Sequence, residues 1–355
     1  MTSGSFWFFY MFDICEAIDL DALRRTLGIV PGARDPGTRQ PSREYVRFER
    51  PPVVEQIPEV VLENGDRLRA TAEYYDYGVI SVAFELPFAM GWPELVAHSS
   101  HLLDTPEIER HATRQAKECL ARVSSTLLKP RENWLSEEYH VVHVNSGQER
   151  AADLIRNHAS DIARIVRGEA AELSPGEVDD VLRGGISYYP TDLLVVGWSA
   201  AFLCDTPEGA QPVMQLLQYA NTQLLEYRYY DHMLTLVLAG VYRSLEQVGF
   251  LARWRLAREA KRLNRIRLDV RELTERTDTS IKFLSDMFSA RVYKLAAEKV
   301  GAHDYRRLVD NKLETAADLY QFMMDQFHQG RAFVLELTVV VILIIDLVFL
   351  FRGPK

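Results

Sequence analysis

The 355-residue chain carries 41 Lys and Arg against 50 Asp and Glu, a net charge of −9, and 47% of its side chains are hydrophobic. That leaves room for two domains and a sizeable core, and the acidic balance argues against a generally basic surface that coats nucleic acid. Cys15, Cys119 and Cys204 stand far apart with no CxxC spacing, which argues against a disulfide framework or structural zinc and fits a reducing compartment.

The N-terminal run Ser5-Phe-Trp-Phe-Phe-Tyr-Met-Phe12 has no Lys or Arg before it, and Asp13 and Glu16 interrupt it. It therefore reads as a buried first strand, over Phe6 to Ala17, and not as a signal peptide. Asp19 and Asp21 start a short helix before Leu23 to Leu27. A loop rich in Pro, Gly and Arg covers Val30 to Ser42, and Tyr45 to Arg50 alternates as a half-exposed strand does. Arg67 to Tyr75 and Tyr77 to Phe88 are further strands, with Gly78 supplying a free φ at their turn. Helical signals cover Trp92 to Leu103, and Thr105-Pro106-Glu107 opens a longer helix to about Leu127. Tyr139 to Val144 returns as a strand. Ser146 with Glu149, and Ser174 with Glu177, have the spacing of capping boxes; the first opens a helix to Arg167. Leu193 to Leu203 is an apolar run of buried-strand or helix character. Residues 1–204 thus read as an α+β domain of mixed sheet and helix.

Residues 205–330 change character. Val213, Ala220, Tyr227, Leu234, Val241 and Val248 recur every seven residues, with Leu217, Leu224, Asp231, Leu238 and Leu245 as a second column, a coiled-coil-like seam. After a break near Gly249 a second helix runs to about Val300, with Leu263, Ile266, Val270 and Leu273 opening its apolar stripe; together they predict a long antiparallel hairpin. Residues 331–355 hold the most apolar stretch, Ala332 to Phe351, in which sixteen of twenty residues are Leu, Ile, Val or Phe. As a helix it would be roughly 30 Å long. At about −0.3 to −0.6 kcal/mol per residue its apolar gain exceeds the cost of Glu336 and Asp346, so a C-terminal single transmembrane helix is expected. With no export signal ahead of it, the bulk of the chain is expected to face the cytoplasm as a single-pass tail-anchored protein.

Asp231 is the polar member of the seam. An unpaired carboxylate there costs several kcal/mol, so a partner on the facing helix is expected, with Arg228 close by as a second interhelical polar group. Asp231 is read as a register device or, on the functional side, as a proton-handling acid. Glu336 and Asp346 are candidate intramembrane polar contacts for self-association or for another membrane protein. Arg253 to Arg276 concentrates nine basic and four acidic residues. Arg253, Arg255, Arg258, Lys261, Arg262 and Arg265 are candidate anion-binding groups for phosphates of RNA or anionic lipid, against the reading of a solvated helix face. His98 and His101 have metal-like spacing on a helix, whereas His140 and His143, three apart on a strand, point to opposite faces. No acid or thiol completes either pair, so no metal is expected. Walker, dinucleotide, Gly-x-Ser-x-Gly and HExxH motifs are absent, and no catalytic residue or cofactor is assigned.

Tyr75-Asp-Tyr-Gly-Val-Ile-Ser-Val82 resembles the aromatic-x-Tyr-Gly strand of the required-for-meiotic-nuclear-division/sporulation family of membrane-anchored proteins. Asp192-Leu-Leu-Val-Val with Trp198, Leu224 to Asp231, and Arg331 with Leu335-Glu336 resemble further segments of that domain. The resemblance implies an α+β domain, a helical hairpin and a membrane helix, and carries no catalytic residues. Its organellar members support mitochondrial translation, but the chain lacks an Arg- and Ser-rich transit segment. The expected function is a non-enzymatic, membrane-anchored scaffold or assembly protein that self-associates and contacts a lipid bilayer. The alternatives are a membrane tether for RNA or ribosomes through residues 253–276, and an enzyme using Asp231.

Overall fold

The computed structural model describes residues 1–29, 50–103, 105–147, 150–246, 262–272, 287–319 and a few positions beyond. The chain divides into two units, Met1–Tyr230 with Val270–Arg306, and Asp231–Asp269 with Arg307–Lys355.

The first unit is built on a mixed seven-stranded sheet. Its strands are β1 (Thr2–Ile18), β2 (Val53–Val61), β3 (Arg67–Tyr74), β4 (Val79–Met90), β5 (Leu127–Asn145), β6 (Leu193–Val196) and β7 (Ala200–Asp205). They lie in the order β2-β3-β4-β1-β5-β7-β6. Only β5 and β7 run parallel; every other pairing is antiparallel. β1 occupies the middle because it is apolar on both faces. Phe6, Phe8, Tyr10 and Phe12 enter one core, and Phe9 and Met11 enter the other.

The first core is covered by α1 (Leu20–Leu27), α2 (Trp92–Leu103), α3 (Pro106–Val123), α4 (Ala151–Arg167) and α5 (Pro175–Arg183), through Leu23, Leu95, Ile108, Ile162 and Val181. Asp19 caps α1 as its spacing suggests, its carboxylate accepting the N–H groups of Asp21 and Ala22. Ser174 likewise caps α5 by accepting from Glu177, but the Glu177 carboxylate pairs with Arg167. Ser146 is not a cap: its N–H donates to the Asp205 carbonyl, and α4 begins five residues later, at Ala151. The run from Leu193 to Leu203 is two strands, β6 and β7, with Gly197 to Ser199 between them. The edge strand β2 gives no clear alternation and is seen only in the structure; the strand expected over Tyr45 to Arg50 lies outside the described residues, Arg50 apart.

The second core is covered by α6 (Pro207–Glu246), over the part that belongs to this unit, and by α7 (Met287–Lys299). Here the expected architecture is corrected. Val213, Leu217, Ala220 and Leu224, read as the first half of a coiled-coil seam, are buried in one core with Phe9, Met11, Tyr139 and Val141 of the sheet. A heptad stripe wants an apolar partner, and a sheet face satisfies it as well as a second helix does. The first unit is therefore a mixed α/β sheet with helices on both faces, and the first half of α6 belongs to it, where the sequence predicts an α+β domain ending before a coiled-coil-like hairpin at residue 205.

The second unit is helical where described. Leu234, Val237, Leu238 and Val241 of α6 are buried, as are Leu263, Ile266, Val309 and Ala316. The transmembrane anchor is also corrected: among the described residues no helix is long and apolar enough to cross a membrane. Most of Ala332 to Phe351, including Glu336 and Asp346, lies outside the described residues, while Val339, Val340, Ile342 and Leu343 are helical and exposed. An insertion sum weighs side chains against lipid alone and does not weigh the rest of the chain as an alternative environment. The single-pass, cytoplasm-facing placement inferred from that segment falls with it.

Candidate functional site

A group of buried charges lies on the second face of the sheet, beneath α6. Alternation along β1 puts Phe9 and Met11 on this face and brings Asp13 to it as well. Asp13 is wholly buried and forms an ion pair with Arg131 of β5. The pairing of β1 with β5 jumps from Asp13↔Leu135 to Cys15↔Pro130, so residues 131–134 form an irregularity in β5. Such a bulge re-aims side chains, and here it delivers Arg131 to Asp13.

From the other side, α6 contributes residues one turn apart. The Arg131 guanidinium lies 3.7 Å from the centre of the Tyr229 ring, a cation–π contact. Glu226, three residues earlier, is 2% exposed, and burial pushes its carboxyl up to about 7 while the positive charge of Arg131 works in the opposite direction. Four residues before that, Thr222 shares a 2.7 Å hydrogen bond with the Tyr77 hydroxyl. Arg228 pairs with the Glu137 carboxylate of β5, and burial raises that carboxyl against the pull of Arg228. Further along the same face, Tyr75 donates to Glu73 at 3.1 Å, and desolvation lifts Glu73 to about 7 as well. Rings continue from Tyr75 to Tyr77, Tyr219 and Tyr293, joining sheet, α6 and α7.

Chemically, two acids face one guanidinium in a site shielded from water. Asp13 takes the ion pair, and Glu226 relieves the excess negative charge by holding a proton around neutral pH. The cluster fastens α6 to the sheet and titrates in the physiological range. Burial pushes the Cys15 thiol up to about 12, which holds it in the thiol form.

The residues singled out from the sequence are placed as follows. Arg228 belongs to this cluster through Glu137 and does not pair with Asp231. Asp231 lies in the second unit, where its Oδ1 meets Lys312 Nζ at 2.6 Å, and the same ammonium donates to Thr235 Oγ1 at 2.7 Å. Arg262 and Arg265 are exposed on the helical residues 262–272, whereas Arg253, Arg255, Arg258 and Lys261 lie outside the described residues. His140 meets Phe8 and Tyr10 edge-on in the first core, and burial lowers it to about 4. His143 instead faces the Asp205 carbonyl at 3.1 Å. No three of the described His, Cys, Asp and Glu residues are grouped to hold a metal ion. Asp13, Arg131 and Glu226 were not singled out in the sequence. The one available signal was an acid at an inward position of an otherwise apolar strand.

A mixed sheet between two helical layers, closed by a buried ion cluster, is a fold class shared by many activities, and the comparisons narrow it to a family. Residues 3–211 match the family described as "Uncharacterized protein MJ0711, N-terminal domain", and the chain belongs to it. The protein of that name from Methanocaldococcus jannaschii is 19% identical over 195 residues, 55% of this chain. The chain spans about 60% of the length of this curated relative. No solved structure matches.

These findings replace the resemblance to the meiotic-nuclear-division/sporulation family. The short motifs that carried it, such as Tyr75, Tyr77, Val79 and Val82, are buried sheet positions, whose residue types packing alone selects. The family match takes in Asp13, Arg131 and Glu137 but ends before Thr222, Glu226, Arg228 and Tyr229.

Proposed function

We propose that the protein is a scaffold that works through protein–protein contacts and self-association, the sheet-bearing unit serving to anchor the long helix α6. The observation that carries this reading is the outer face of α6 beyond Tyr230. His232, Thr235, Leu236, Ala239, Tyr242 and Arg243 are exposed at helical spacing, with Leu236 and Tyr242 about half exposed on either side of Ala239. Leu236, Ala239 and Tyr242 follow one another at steps of three, forming a ridge that packs into the groove of a second helix. The occupant proposed is a second copy of the chain. Light scattering of the full-length protein across concentration tests this: an oligomer is expected, and Leu236→Asp with Tyr242→Ser should shift it to monomer. A wild-type chain that stays monomeric at about 100 μM, a concentration far above the Kd of a stable interface, would defeat the proposal.

A second reading, nucleic-acid tethering, is favoured by the exposed arginines Arg262, Arg265, Arg267 and Arg271 on residues 262–272. It requires binding whose salt dependence weakens by about one unit of slope for each phosphate-contacting arginine removed.

A further inference from the structure

The hairpin that joins the edge strand β2 to β3 carries a reactive pair. Of the seven asparagines in the chain only Asn64 is followed by a glycine, and both residues are exposed at the tip of this hairpin. The Leu62 N–H donates to the Asp66 carbonyl and the Gly65 N–H to the Leu62 carbonyl, each at 2.9 Å, with Gly65 at φ +92°. This is the three-residue connection in which a turn is completed by a residue in the left-handed region.

Asp66 holds the Asn64 amide from two sides. Its backbone N–H donates to Asn64 Oδ1 at 2.9 Å, and its carboxylate accepts from Asn64 Nδ2 at 2.7 Å. The first contact closes a ring that contains both Asn64 Cγ and the Gly65 nitrogen, so the side-chain carbonyl carbon is folded back toward the next backbone amide. Keeping the two in one ring spares much of the entropy that a free side chain would lose on approach. An N–H aimed at Oδ1 also stabilises the negative charge this oxygen gains when its carbon is attacked. Glycine sets no Cβ beside the attacking nitrogen, and the space around it is open. Opposing this, the Gly65 N–H must leave the Leu62 carbonyl, a single bond on an exposed turn.

We propose that Asn64 is a site of self-modification, where ring closure by Gly65 expels the side-chain amide. The Gly65 nitrogen gives its proton to water or hydroxide and forms a bond to Asn64 Cγ. The bond from Cγ to Nδ2 breaks, and Nδ2 takes a proton from water and leaves as ammonia. Water then opens the cyclic imide at either carbonyl, leaving aspartate or isoaspartate.

The product alters the hairpin in two ways. A carboxylate replaces the amide that donated to Asp66, so like charges face each other, in a turn whose Glu63 N–H is already tied to the Glu107 carboxylate at 2.8 Å. Isoaspartate also lengthens the backbone of a loop whose length sets the register of β2 against β3. The edge hairpin is thereby loosened as the molecule ages.

The test incubates the full chain in mildly alkaline buffer and follows it by mass spectrometry of its proteolytic fragments. The fragment carrying Asn64 should gain about one dalton in a first-order process, with isoaspartate detected by an isoaspartate-specific methyltransferase. Asn145, which is followed by serine and donates to Ser3 Oγ, should convert at least about tenfold more slowly. Gly65→Ala should slow conversion of Asn64 at least about tenfold, with circular dichroism checking that the variant is folded. The chain unfolded in guanidinium chloride should convert no faster than the folded chain, because unfolding dissolves the ring. Hydrogen exchange of the Leu62 amide should quicken at least about tenfold in the converted protein. An Asn64 fragment of unchanged mass, undiminished conversion in Gly65→Ala, or faster conversion in the unfolded chain overturns the proposal, and unaltered exchange at Leu62 overturns the loosening of the hairpin.

Discussion

Replacing Glu226 by Gln should stabilise the protein at alkaline pH and leave it unchanged in acid. In the folded chain the Glu226 carboxyl is held at about 7, against an ordinary value of 4.5 that applies when the chain is unfolded. Below about 4.5 the carboxyl is protonated in both states and costs nothing extra. As the pH rises from about 4.5 to about 7, the folded chain keeps a proton that the unfolded chain has released, and above about 7 it must carry a buried carboxylate, so stability present in acid is lost across that interval. At about 1.36 kcal/mol per pH unit the interval from 4.5 to about 7 amounts to about 3 kcal/mol. Gln keeps the shape and never ionises. The Gln variant should therefore match wild type near pH 4.5 and exceed it by about 3 kcal/mol at pH 8. Urea unfolding at both pH values, followed by tryptophan fluorescence, reads the double difference. Glu73 also titrates near 7, but it is common to both proteins and cancels. A Gln variant whose advantage is the same at both pH values would refute the assignment, and one weaker than wild type at pH 8 would show that Arg131 gains more from the carboxylate than burial costs.

Arg131→Met removes the partner of a fully buried Asp13 and should cost about 3–5 kcal/mol at pH 8; adding Asp13→Asn should recover much of that loss, as read by the same unfolding assay. Gly78 sits at φ +95°, and a Cβ there would lie 2.0 Å from the Cys15 carbonyl oxygen. Gly78→Ala should therefore lower stability by at least about 3 kcal/mol, against about 1 kcal/mol for Gly65→Ala, which has φ +92° but open space around it; thermal melts of the two variants compare them directly. The Asp231–Lys312 pair is partly exposed, with side chains 22% and 30% accessible, so a double-mutant cycle with Asp231→Asn and Lys312→Met should give a coupling of about 1 kcal/mol or less.

Much of the local structure was legible because local chemistry dictates it. The aromatic first strand, the Asp19 and Ser174 caps, the Trp92–Leu103 helix and the Gly78 turn all follow from residues that satisfy nearby backbone groups or supply a needed φ. β5 was legible only over its apolar end. Its first half, Leu127 to Glu138, is largely exposed and polar, and it is held by pairing with β1, which no local pattern announces.

The candidate site was the least legible part. Asp13 appeared only as an interruption in an apolar run, and no local pattern marked Arg131 or Glu226. What joins them is a bulge in β5 and the laying of α6 across the sheet, contacts between residues 13, 131 and 226 that are far apart in the chain. The sequence by itself determined the first strand, the hairpin at Gly78 and most of the helices, though not β2 or the first half of β5, and that positions such as Val213, Leu217, Ala220 and Leu224 would be buried, because periodicity records that a face must leave water. Only the tertiary structure decided what covers each face, because an apolar stripe gains the same free energy against a sheet, a second helix or lipid, and nothing in the stripe itself says which it meets.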